Sequence, residues 1–239
     1  MAAKDISIKS RDGGEFDCYI ALPEAQAKVP AIVLASAVHG VDQDIRTIAD
    51  AFAAKGYIAA APDLFSRTVP GPLPRDDGRT KTRSQPRLQR LKEGEADMAD
   101  TLAEVRKLPQ FNGRAMAAGF CYGGPYAVIG PKRLGYDAGI SFHGTQMLDF
   151  IGEFEGLTKP VCIIWGDQDH QAPAPVLDAY RALAARQRNL DLHIFPGVLH
   201  GYMMRGNPKA YDEKTFGFSM ERALEMLGAL RAEREKQPA

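Results

Sequence analysis

Residues 114–124 read RAMAAGFCYGG. The small apolar run Ala115 to Ala118 has the character of a buried strand. It ends in Gly119-Phe120-Cys121-Tyr122-Gly123, after which the pattern turns helical. G-x-C-x-G between a strand and a helix is the pattern of a nucleophile elbow with cysteine in the place of serine. Glycine is needed on both sides because the central residue sits on a strained backbone that its neighbours must not crowd. The pattern alone does not separate a reactive thiol from a packed one, so the surrounding chain has to decide.

Upstream, Pro30 opens PAIVLAS, a continuous apolar run of the kind found in sheets covered on both faces. Ile45, Ile48, Ala49 and Phe52 then recur at helical spacing, with Asp42 or Asp44 at the start and Gly56 past the end. Tyr57 to Ala61 is another short buried strand. Strand, helix, strand at this spacing is a βαβ unit and calls for parallel pairing. Further upstream, KDISIKS and the alternating Phe16, Cys18, Ile20 and Leu22 read as a hairpin around Asp12-Gly13-Gly14. Residues 66–87 read as a long basic loop or lid carrying Arg67, Arg75, Arg79, Lys81, Arg83 and Arg87. A helix from about Leu88 to Leu108 follows, with Met98, Leu102 and Val105 on one stripe.

Downstream, DAGISFHG, KPVCIIWGDQDH and LDLHIFPG each supply a strand. A helix from Pro175 to about Arg186 and a final helix holding Leu224, Leu227 and Leu230 complete the pattern, before a charged tail, EREKQPA. The expectation is an α/β fold with a mostly parallel central sheet flanked by helices on both faces. Residues 1–239 form a single domain in this reading.

Composition narrows the function classes. Thirty basic and thirty acidic residues leave a formal net charge of zero, which argues against nucleic acid or an anionic membrane as partner. The start of the chain lacks the apolar core of a secretion signal, and no run approaches a bilayer-spanning length. Three cysteines (Cys18, Cys121, Cys162) without a C-x-x-C suggest neither a disulfide frame nor a zinc site. A cytoplasmic protein, monomeric or a small homo-oligomer, with no metal and no organic cofactor, is expected.

Cys121, then Asp167 and Asp169, then His200, stand just beyond strand ends, in the order nucleophile, acid, base. Catalytic groups of open α/β sheets collect at that edge. A thiol with a reference pKa of about 8.5 is mostly protonated at neutral pH, so an imidazole within reach is needed to take its proton. A carboxylate on the far ring nitrogen fixes the tautomer and stabilises the imidazolium. The thiolate attacks an ester or lactone carbonyl, with the oxyanion held by the backbone N–H groups of Tyr122 and Val38. Position alone does not choose between Asp167 and Asp169. His39 and His143 lie near the same strand ends and are candidates to line the pocket, whereas His170 and His193 read as structural.

These segments resemble the dienelactone hydrolase (carboxymethylenebutenolidase) family of the α/β-hydrolase fold. The resemblance is carried by PAIVLAS with Gly40, GYIAAAPDLFSR, GFCYGG, GDQDHQAPAP and the His200-Gly201 turn, and it covers nearly the whole chain. It implies a Cys121–His200–Asp169 triad, with Asp169 as the acid of G-x-x-D-H. It also implies a small ester or lactone substrate, anionic ones included, held through Arg79 and, with a one-residue shift, Arg205. The family prototypes carry a glutamate in the turn after the PAIVLAS strand that helps ionise the cysteine; the matching residue here is Ala37, beside Ser36. The alternatives are a general esterase or thioesterase with the same triad, and a catalytically weak small-molecule binding protein on the same scaffold.

Overall fold

The computed structural model describes residues 2–24 and 27–235. Eight strands form one sheet: β1 (Ala2–Lys9), β2 (Glu15–Leu22), β3 (Val29–Ala35), β4 (Ile58–Pro62), β5 (Phe111–Phe120), β6 (Ala138–Phe142), β7 (Val161–Gln168) and β8 (Leu190–Leu199). Their order is β1-β2-β4-β3-β5-β6-β7-β8. The β1–β2 and β2–β4 pairs are antiparallel, and every pair from β4 through β3 to β8 is parallel.

The central strands are apolar because both of their faces are covered. On β3, Ile32 and Leu34 enter one core while Ala31, Val33 and Ala35 enter the other, and Met116 and Ala118 alternate with Ala115 and Ala117 on β5 in the same way. Helices α1 (Gln43–Ala54) and α6 (Glu213–Glu235) pack on the first face, and α3 (Arg87–Val105), α4 (Tyr126–Arg133) and α5 (Ala174–Ala184) on the second. Helix α1 starts where Asp42 Oδ1 accepts the Ile45 N–H at 3.1 Å, the side-chain cap that its aspartate pair suggests. After β3 the chain builds β4 on one side, and β5 then falls on the other. The carboxyl ends of β3 and β5 therefore flank the point where strand order reverses, where open α/β sheets leave a crevice.

Three boundaries differ from the sequence reading. Helix α6 runs through Glu235 into the charged tail, while residues 236–239 of that tail lie outside the described residues. The stretch 145–157, for which the sequence reading assigned no element, holds a 3-10 segment, Met147–Phe154, that buries Met147, Phe150 and Phe154. Residues 66–87 are not a free basic lid. They contain a short helix, α2 (Arg79–Ser84), with a cis Gln85–Pro86 peptide after it, and several of their cations are internal ties. Arg83 is fully buried, stacks on the Phe65 ring at 4.4 Å, and donates to the carbonyls of Val38 (3.2 Å), Gly71 (2.6 Å) and Val69. Arg67 pairs with buried Asp97 and reaches Ser10 on the hairpin. A buried guanidinium must spend its donors on carbonyls or carboxylates, and these loops supply them.

At the elbow, a Cβ on Gly123 would overlap the Ala35 carbonyl of β3, and one on Gly119 would overlap the Gly123 carbonyl. Gly123→Ala therefore costs about 3 kcal/mol of stability, the upper range for overpacking a rigid contact. Gly152→Ala, where an added Cβ meets nothing within 4 Å, stays within about 0.5 kcal/mol. Urea unfolding of the two variants checks this, and equal midpoints would contradict it.

Candidate active site

A cavity of about 360 Å³ opens at the carboxyl edge of the sheet, and Cys121, His200, His143, His39 and Val38 border it. Cys121 follows β5 directly, with φ at +50°, in a 3-10 turn of Cys121–Gly123. A left-handed cysteine costs about 1–3 kcal/mol and persists because the surroundings over-determine it. Thr145 N–H and Gly124 N–H both donate to the Cys121 carbonyl at 3.0 Å, and Thr145 Oγ1 reaches it at 3.3 Å. The Trp165 indole in turn donates to Gly144 O at 2.9 Å, so the β6 loop that grips the elbow is itself fixed. The 3-10 turn separates Cys121 from α4, whose N-cap is Pro125; the expected helix start directly behind the thiol is displaced by it.

His200, in the turn after β8, places Nδ1 2.9 Å from both carboxylate oxygens of Asp169. Asp169 is buried after β7 and also accepts the Gln171 N–H at 2.8 Å. Asp167, by contrast, faces solvent and accepts the Gly197 N–H at 2.7 Å, which ties β7 to the β8 bulge. Two residues of strand alternation would put both aspartates on one side; the chain instead turns after Gln168, so only Asp169 reaches the imidazole. Burial disfavours a charged His200, but hydrogen bonding to Asp169 and to Cys121 outweighs it and raises the imidazole to about 10. His170 packs edge-on against His200 at 5.4 Å, and His193 bonds Asp191 at 2.8 Å away from the cavity. The thiols of Cys18 and Cys162 lie in the core, and burial pushes both far above the ordinary thiol range.

Two expected substrate contacts lie elsewhere. Arg79 is exposed on α2 and is bound by Asp77 two residues away, at 2.6 Å, so it does not border the cavity. Spacing from the elbow could not reveal that the loop folds its own aspartate back onto it. Arg205 also points away, its guanidinium over the rings of Tyr211 (5.2 Å) and Phe216 (5.0 Å). The cations that do border the cavity are Arg75 and Arg87, noted in the sequence only as loop charges. Arg75 pairs with Asp44 and Asp42. Arg87 stacks on the Tyr122 ring at 4.7 Å and donates to the carbonyls of Tyr122 (3.1 Å) and Thr145 (3.0 Å). Burial lowers the Arg87 guanidinium below its ordinary value. Ala37, in place of the prototypes' glutamate, borders the cavity with no acid–base group to offer. Thr145, Gln146, Gln171 and Asn207 also border it and carried no local sequence signal. Among the described residues, the cluster with metal-ligand spacing is Cys162, Asp191 and His193, where Arg222 already occupies Asp191 at 2.7 Å. No helix of the described chain is long and apolar enough to cross a membrane.

Residues 16–230 match the model of the Dienelactone hydrolase family. The chain is 26% identical over 237 residues to a carboxymethylenebutenolidase of Pseudomonas putida, covering 98% of this chain and 100% of that one. It is 26% identical over 235 residues to carboxymethylenebutenolidase 1 of Cupriavidus pinatubonensis, covering 97% and 99%. A solved structure from Klebsiella pneumoniae superposes with a TM-score of 0.81 at 20% identity, covering 95% of this chain and 98% of that one. A dienelactone hydrolase of Anabaena variabilis superposes at 0.69 with 14% identity, covering 94% and 95%. These likenesses carry the α/β architecture with its eight-stranded, mostly parallel sheet.

Two outcomes follow from the geometry. Arg79→Ala changes KM for anionic and neutral esters by the same factor, within about twofold; a selective rise for the anionic ester would return Arg79 to the site. The raised His200 pKa also makes the folded state hold a proton that the unfolded chain, near 6.5, releases. The stability due to His200 is therefore full below about pH 6.5 and is lost as pH rises through about 10. Denaturant unfolding of the native protein and of His200→Gln should show a gap that narrows over that window, and a gap that widens would contradict it.

Proposed function

Since the chain belongs to the dienelactone hydrolase family, we propose that it hydrolyses a carboxylic ester or lactone by nucleophilic catalysis at Cys121, with His200 and Asp169 completing a triad. The observation that carries this reading is the His200 imidazole bonded through Nδ1 to buried Asp169 at 2.9 Å, with Cys121 on the wall of the same cavity. All three side chains stem from the ends of strands of one sheet, and hydrogen bonds pin the backbones of Cys121 and Asp169.

The chemistry then runs in two stages. His200 takes the proton from the Cys121 sulfur and becomes the imidazolium that Asp169 stabilises. Sulfur adds to the carbonyl carbon, and the carbonyl oxygen gains the negative charge. The N–H groups of Tyr122 and Val38 are the proposed donors to that oxygen. The peptide that carries the Tyr122 N–H has its carbonyl, Cys121 O, loaded with three donors from Gly124 and Thr145. Such loading polarises the peptide and strengthens the N–H as a donor. Collapse expels the alkoxide, which takes the proton from His200, and leaves an acyl-thioester on Cys121. Once sulfur is acylated, its contribution to holding the proton on His200 is gone, so the ring is free to act as base toward water. Asp169 keeps Nδ1–H in place throughout.

Ala37 favours a second reading within the same chemistry, a general esterase or thioesterase, because activation here does not depend on a substrate-triggered glutamate. In either case Cys121→Ala lowers kcat/KM for p-nitrophenyl acetate by at least about a thousandfold, and mass spectrometry of the quenched native protein shows an acetyl adduct on the peptide containing Cys121. Retained turnover in the variant would overturn the assignment.

A further inference from the structure

Helices α1 and α6 run side by side in the same direction on one face of the sheet. The Gly206 N–H, in the chain leading to α6, donates to Asp44 at the head of α1 at 3.0 Å. Arg231, near the end of α6, donates to the Gly56 carbonyl just past α1 at 2.8 Å. Between the helices lies a groove of about 480 Å³ that shares no lining residue with the catalytic cavity. Ile48 and Ala51 of α1 form one wall, Phe216, Met220 and Leu224 of α6 form the other, and buried Met203 completes the lining. The three α6 side chains are only half-buried, so their apolar surface still meets water that an apolar ligand would release.

The groove is apolar along its length and cationic at its ends. At one end the Arg205 guanidinium lies over the ring of Phe216, itself a groove wall, at 5.0 Å, and over Tyr211 at 5.2 Å. At the other end stands Lys55, the C-cap of α1. Among the described residues neither cation has a carboxylate partner. Asp44, the acid of this lining, is already paired with Arg75 and bonded by the Gly206 N–H. The groove therefore complements an anion joined to an apolar body. Arg205 is the better seat for the head group, because its planar fork is held by two rings whereas Lys55 is a flexible point charge. From Asp44 to Lys55 the α1 wall rises about 16 Å, the reach of an extended chain of about twelve carbons.

We propose that this groove binds a straight-chain carboxylate of about ten to twelve carbons, its chain between α1 and α6 and its head group on Arg205. The site is separate from Cys121, and the inference does not depend on the hydrolytic reading.

Isothermal titration of the native protein with octanoate, decanoate and dodecanoate, each below its micelle concentration, is the test. Each added methylene tightens binding about two- to fourfold, and tetradecanoate gains nothing further because the groove is full. Arg205→Gln weakens decanoate by about tenfold or more, while 1-decanol, which has the chain without the charge, changes by less than about twofold. Ala51→Trp, which puts an indole into the groove, removes both. Alkylating Cys121 with iodoacetamide, which blocks the catalytic cavity, leaves the decanoate affinity unchanged, and Arg205→Gln leaves p-nitrophenyl acetate turnover unchanged. Should Ala51→Trp not fold, the chain-length series and Arg205→Gln decide alone. An affinity that keeps rising with chain length and ignores Arg205→Gln is surfactant adsorption and overturns the proposal, as does binding that is lost on alkylation of Cys121. A dimer in sedimentation that Met220→Glu splits, with no carboxylate bound, gives the groove to a second copy of the chain and overturns it too.

Discussion

The close approach of the elbow to β3 is the constraint on which the site depends. Gly123 lies so near the Ala35 carbonyl that no side chain fits, and Gly119 is closed off by Gly123 in turn. That approach turns the chain sharply after Phe120 and forces Cys121 to a positive φ, lifting its side chain above the sheet edge. The strain is held by what surrounds it: the Cys121 carbonyl is gripped from the β6 loop, the Tyr122 carbonyl is gripped by Arg87, and the Tyr122 ring is wedged between Phe65 and that guanidinium. If β3 and β5 were not adjacent and parallel, none of these contacts could form. The sheet order and the thiol's position are one fact.

The basic segment illustrates how charge in a sequence can mislead about charge in a site. Six cations between Arg67 and Arg87 read as a long basic loop or lid. In the fold, Arg67 meets Asp97, Arg75 meets Asp42 and Asp44, Arg79 meets Asp77, and Arg83 and Arg87 bond backbone carbonyls. Long loops carry unpaired carbonyls that need donors, and arginine, with five N–H groups on a plane, satisfies several at once. The arginines here hold the segment against the elbow; of the two that border the cavity, Arg75 meets carboxylates, whereas Arg87 meets only neutral partners.

The sheet, its parallel core and the order of helices were legible in the sequence because they rest on local patterns: the apolar runs of β3, β4 and β7, the periodicity of α1, and Gly-x-Cys-x-Gly. The placing of Cys121, Asp169 and His200 at strand ends was legible for the same reason. What could not be read were contacts decided by distant pieces of chain. Position along the strand does not say which of Asp167 and Asp169 meets His200; the family resemblance points to Asp169, and the turn after β7 brings that residue to the imidazole. Arg79 and Arg205 failed as cavity residues because their partners, Asp77 and the rings of Tyr211 and Phe216, come from folds of their own loops. Arg87 and Thr145 have no motif at all, and matter only because α3 and the β6 loop converge on Tyr122.

The absence of an acid at position 37 changes how the proton must be managed. A carboxylate there would be a second place for the thiol's proton, reached only when a ligand moves the side chains. In the proposed mechanism Ala37 removes that place and leaves the imidazole to take the thiol's proton, so the burden falls on whatever stabilises the charge His200 then carries. Two carboxylate oxygens at 2.9 Å do so, and a buried Asp169 is well suited to it because little water competes for its charge. His143 acts in the opposite sense: kept neutral by its own burial, it packs on the His200 ring without adding a second positive charge beside it. A second imidazolium in that position would push the proton off His200 and undo what Asp169 provides. The two histidines therefore need opposite protonation states at the same pH, and the difference is set by the fold, which gives one a carboxylate and withholds it from the other.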